Sequence, residues 1–135
     1  MIDHVLDGTL LAHLKAVPQL GALYGYTGQD NAEHKLPALT VSTTTPEALA
    51  GSDSVFKGEV DLIIESEAHD TAPDAHAARV ESIRTALADR KTVIAALNAT
   101  GKLHIYGYAP LGTEQTVGDA RFTTKLKYRF GFGPA

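Results

Sequence analysis

Residues Ala120–Phe132, read as ARFTTKLKYRFGF, alternate more strictly than any other stretch of the chain. Ala120, Phe122, Thr124, Leu126, Tyr128, Phe130 and Phe132 fall on one side, and Arg121, Thr123, Lys125, Lys127 and Arg129 on the other. A period of two with apolar and basic sides predicts a strand with one buried face. At the rise of a strand it runs roughly 40 Å, far beyond the usual five or six residues. A strand this long must find partners along its whole length, which commits the chain to a sheet and offers a surface for pairing or assembly.

The rest of the chain supplies those partners. Val55–Glu67 alternates as well, with Phe56, Val60, Leu62 and Ile64 inward and Lys57, Glu59, Asp61 and Glu65 outward; Ile63 interrupts the outer row and could mark a covered patch. The acidic row Glu59, Asp61, Glu65 complements the basic row Lys125, Lys127, Arg129, so the two strands suit one another as sheet neighbours, at ~0.2–1 kcal/mol per cross-strand pair. The alternative is that the basic row meets an acidic row on another subunit. Leu36–Thr45 is rich in β-branched residues and is held extended at Leu36 by Pro37, which predicts a third strand. Lys102–Tyr108 predicts a fourth, with Leu103, Ile105 and Gly107 on one face.

Helices are expected at three places. Ile2, Val5, Leu6, Leu10, Leu14 and Val17 form a stripe ended by Pro18, with Asp3 and Lys15 matching the helix dipole. Thr71–Asp74 resembles a capping box ahead of His76, Val80, Ile83 and Leu87. Lys91–Asn98 buries Val93, Ile94 and Leu97 and stops at Gly101. Gly21, Gly25 and Gly28 do not follow a strand or match a dinucleotide fingerprint, and read as turns. APLGTEQTVGD, residues 109–119, reads as a long loop that projects from the sheet and orders when a neighbour docks. The expectation is one α+β domain over residues 1–135: an antiparallel or mixed sheet of about four strands with flanking helices, in the order helix, strand, strand, helix or helices, strand, strand.

Chemistry is harder to find. The 135 residues contain no cysteine, so disulfides, thiolate metal sites and thiol nucleophiles are out of reach. The serines lie outside any nucleophile elbow. The densest polar cluster is Glu65, Glu67, His69, Asp70, Asp74 and His76, but its histidines lack metal-ligand spacing and it reads as an acidic helix start. Carboxylates on a strand beside lysines read as cross-strand partners rather than a glycosidase pair. A net charge of −4 argues against a nucleic-acid binder held by charge. The opening residues lack a basic n-region and an apolar core, and no run approaches the ~20 apolar residues of a membrane helix, so an intracellular protein is expected. No catalytic residue, cofactor or metal is predicted.

The order of these features resembles the tail terminator, or tail-completion, proteins of long-tailed phages and related gene transfer particles. The resemblance is carried by the opening helix Ile2–Val17, the LPALTV strand, the GEVDLIIES strand at Gly58–Ser66, the helix at Asp74–Asp89 and the terminal RFTTKLKYRFGF strand. It implies a homo-oligomeric ring, typically of six subunits, that sits on the last layer of the tail tube and ends its polymerisation. It further implies contacts with the tube protein and with the head-tail connector, and DNA passing unread through the lumen. The protein would be found in the host cytoplasm during assembly and then in the neck of the particle. A head-side neck connector, or a small ligand-binding or catalytic α+β domain, is the alternative. The family pattern carries over no residue role. Candidate contacts with a neighbouring subunit or the tube come from the residues alone: Gly112, Thr113, Glu114, Gln115 and Gly118 in the loop, and Glu59, Asp61, Glu65, Arg121, Lys125, Lys127 and Arg129 in the charge rows.

Overall fold

The computed structural model describes residues 2–28, 34–44, 46–48, 54–68, 73–118 and 120–135. The chain runs α1 (Ile2–Lys15), β1 (Tyr24–Thr27), β2 (Ala38–Thr43), β3 (Glu47–Ala48), β4 (Phe56–Glu67), α2 (Pro73–Ala86), α3 (Arg90–Ala99), β5 (Leu103–Val117) and β6 (Arg121–Pro134). The strands form one mixed sheet in the order β1-β2-β4-β6-β5, and the short β3 pairs with β4. The α+β class holds, with six strands in place of about four. The additions are β3 and β1, which pairs in parallel with β2 through Tyr24↔Ala38 to Thr27↔Val41. Gly25 therefore lies within a strand rather than a turn. A side chain there would press on Leu11 and Lys15 of α1, so the close approach of helix and strand accounts for the glycine.

The acidic and basic strands are neighbours. β4 and β6 pair antiparallel from Phe56↔Phe132 to Glu67↔Arg121, which places Glu59 opposite Arg129 and Asp61 opposite Lys127. The inward residues of β2, β4 and β6 make one apolar face, in rows such as Leu39–Ile64–Thr124 and Val41–Leu62–Leu126. All three helices lie on that face. Leu6, Leu10 and Leu14 of α1 are fully buried, and Thr43 donates a hydrogen bond to Asp7. Val80 and Ile83 of α2 and Val93 and Leu97 of α3 complete the core against Phe130 and Phe132.

A cap starts α3 and a tyrosine ties its approach to the sheet. Asp89 caps α3 by accepting from the Thr92 backbone N–H at 3.3 Å, and the Thr92 hydroxyl at 2.8 Å, followed by that backbone bond, lowers its carboxyl pKa. The Tyr108 hydroxyl donates to the Leu87 carbonyl at 2.7 Å, and burial pushes its pKa up to about 12. A register shift between Ile105 and Gly107 is what turns Tyr108 inward. Strict alternation from Leu103 would have turned Gly107 inward instead, and the extra residue of the bulge reverses that phase.

Candidate functional site

Two surfaces carry the residues that the sequence marks for assembly. The first is the sheet face away from the helices. Glu59, Asp61, Ile63 and Glu65 of β4 share it with Thr123, Lys125, Lys127 and Arg129 of β6 and with Gly112, Glu114 and Thr116 of β5. Its charges find partners within the subunit. Arg121 donates to Glu65 Oε2 at 2.7 Å, and the Lys127 ammonium lies 3.4 Å from Glu114 Oε1. The hydrogen bond and charge of Glu114 raise the Lys127 pKa. Asp61 is buried, and desolvation raises its carboxyl pKa against the pull of Lys125 and Lys127.

Toward β2 this face is covered rather than solvated. Thr40 and Ser42 are buried beside Ile63 and Asp61, in agreement with a covered patch around Ile63. His34 stacks on Tyr26 with ring centroids 4.0 Å apart and donates through Nδ1 to Glu65 Oε1 at 3.0 Å. The Tyr26 hydroxyl accepts the Lys35 backbone N–H at 2.9 Å. Glu65 thus joins β4, β6 and the segment after β1, which is the work of a structural carboxylate.

The second surface is the outer edge of β5, and here the loop expectation is overturned. Residues 109–117 continue β5 and pair with β6 as far as Val117↔Phe122. Gly112, Thr113, Glu114 and Gln115 are strand residues, Gly118 is in the turn and donates to the Arg121 carbonyl at 3.0 Å, and Asp119 lies outside the described residues. Backbone pairing to β6 orders this segment although every residue from Ala109 to Gly118 is exposed. Gly112 follows a second register shift, between Pro110 and Gly112, which turns Leu111 out of the ladder.

The two halves of this edge differ. At the inner half, the Asn98 side chain accepts from the Ile105 N–H at 2.6 Å and donates to the Ile105 carbonyl at 3.3 Å, imitating a neighbouring strand. Arg90 donates to the Tyr108 carbonyl at 3.3 Å. Beyond Pro110, Arg84 donates to the Thr113 hydroxyl at 3.1 Å and Glu114 meets Lys127, and both contacts leave the backbone edge aside. An open groove of about 600 Å³ runs between α2 and this part of the hairpin, lined by His76, Val80, Arg84, Val117, Phe122 and Thr124.

The histidine-rich cluster resolves differently from its sequence appearance. His69 and Asp70 lie outside the described residues. His76 is buried between the Ser66 hydroxyl, 2.8 Å from Nδ1, and the Thr124 hydroxyl, 2.9 Å from Nε2. Arg79 donates to the same Ser66 hydroxyl at 2.8 Å. Burial and then the Arg79 charge lower the His76 pKa. Among the described residues, no three histidine or carboxylate side chains converge as metal ligands, and no helix is long and apolar enough to cross a membrane.

No family model and no curated protein matches the chain. Among the solved structures that match, one aligns over 99% of this chain and 94% of its own, at 17% identity and a TM-score of 0.51. At that identity the likeness shows a shared fold and carries no function.

Proposed function

We propose that the chain is a structural component of a phage-like particle: a tail terminator that caps the tail tube as an oligomeric ring. The ring would end tube polymerisation and offer the joining surface for the head-side connector, with DNA passing through the lumen unread. The observation that carries this reading is the outer half of β5, a long strand whose exposed outer edge has no neighbouring strand among the described residues. Such an edge is a ready template for another chain; proteins that remain single usually blunt it with lysines, prolines, bulges, extreme shortness or a cover, and past Pro110 and its bulge the strand carries no lysine or proline. The resemblance in element order supplies the particle and the ring. An acidic chain also suits a lumen through which DNA slides, because gripping phosphates would need a basic surface.

Light scattering coupled to size exclusion, over a range of concentrations and with purified tail tubes added, tests the proposal. A discrete multimer near six subunits, alone or on the tube end, is the expected result. A strict monomer that ignores tubes at every concentration would overturn it.

A further inference from the structure

Among the described residues, four large apolar side chains are strongly exposed: Tyr24, Tyr106, Leu111 and Val117. All four lie on the two edge strands, Tyr24 on β1 and the other three on β5, at opposite ends of the sheet. The apolar surface left over from folding therefore sits where a sheet can be continued. On β5 the capping by Asn98 and Arg90 confines the available stretch to Leu111–Val117. Charged groups are few at both edges, and Glu114 is engaged by Lys127 within the subunit. Glu114 is the sole carboxylate or basic residue of β5 apart from His104. At the other end, the Lys35 ammonium stands 5.8 Å from the centre of the Tyr24 ring.

Strand direction allows the two ends to meet. β6 and β2 run antiparallel to β4, β1 runs with β2, and β5 runs against β6. β5 and β1 consequently point in opposite directions. A neighbour turned about an axis along the strands would present its β1 antiparallel to β5, the pairing with the better hydrogen-bond geometry. Two different edges meeting in this way form a head-to-tail contact, which closes into a ring when the rotation suits.

We propose that Leu111–Val117 of one copy pairs edge to edge with Tyr24–Thr27 of the next copy of this chain, so that the sheets join around the ring. This inference rests on the ring reading above and specifies its interface.

The absence of cysteine makes a direct test available. Thr27 and Gly25 fall on the helix side of β1, and Thr113 and Gln115 on the helix side of β5, so facing cysteines there lie on one side of the joint ladder. The double variants Thr27→Cys/Gln115→Cys and Thr27→Cys/Thr113→Cys are oxidised at concentrations, or on tubes, where light scattering shows the multimer. The expected result is a denaturing-gel ladder reaching ring size from at least one double variant, while each single variant stays monomeric. Val117→Lys should abolish the ladder without lowering the melting temperature.

A dimer from Gln115→Cys alone would show β5 pairing with β5 and overturn the inference, as would crosslinking of that cysteine to tube protein. A ring-sized particle without a ladder from either double variant would overturn the interface and leave the ring reading standing. No multimer under any condition would remove both.

Discussion

His76 shows how one side chain sets a condition on the fold. Its ring joins α2 to β4 and β6 through two hydroxyls, and burial with the nearby Arg79 charge lowers its pKa from the ordinary 6.5. The unfolded chain therefore takes up a proton at this residue before the folded one does. Its contribution to stability is present above about pH 6.5 and is lost as pH falls from there toward the folded value. Urea unfolding at a series of pH values should show that decline, and His76→Ala should flatten part of it. His13, whose pKa burial also lowers, accounts for a remaining share. The same variant should cost about 1–3 kcal/mol at pH 7.5, because the Thr124 hydroxyl is left buried without its partner. Gly8 makes the opposite case. It lies within α1, is exposed, and a side chain there would meet nothing within 4 Å. Gly8→Ala should raise stability by about 0.5–1 kcal/mol, read as a higher urea midpoint at an unchanged slope.

At the level of strands and helices, the tightest joint is the end of β6 against the segment before β4. A side chain at Gly133 would collide with the Ser54 carbonyl oxygen and lie 3.6 Å from the Tyr106 ring. Gly133→Ala should then cost about 1–3 kcal/mol through a forced backbone shift, measured as a lower melting temperature. Which elements the sequence discloses follows from how each is buried. β4 and β6 are legible because the core face of each is apolar along its length, so burial there writes a period of two into the residue types. The stripe of α2, His76, Val80 and Ile83, is legible for the same reason, with Leu87 just past the helix end. The outer half of β5 is not legible, because exposed positions select for nothing and GTEQTVG has the composition of a loop; its order comes from backbone bonds to β6. Nor is β1, four residues long with a glycine that only the approach of α1 explains. The contacts His34–Glu65 and Asn98–Ile105 depend on the completed fold, and neither leaves a local pattern.

For the whole molecule, two kinds of ring contact make opposite demands on salt. A ring held by the rows Glu59, Asp61, Glu65 and Lys125, Lys127, Arg129 would join exposed charges across subunits, and such contacts weaken as the screening length falls from about 10 Å at 0.1 M to about 3 Å at 1 M. Within the subunit, however, Glu65 is engaged by Arg121 and His34, Lys127 by Glu114, and Glu59 faces Arg129 in register. Little of either row is left to hold a neighbour, and exposed pairs of this kind contribute about 0–1 kcal/mol each. An edge contact works through backbone hydrogen bonds and the apolar side chains Tyr24, Leu111 and Val117, which salt does not screen. The multimer should therefore persist from 0.1 to 1 M sodium chloride, with its dissociation concentration falling or unchanged as salt rises. Sedimentation velocity across that range reads the outcome. Dissociation that grows steadily with salt would return the contact to the charged face and make Arg129 and Glu59, the exposed pair at the end of the rows, the residues to reverse in charge.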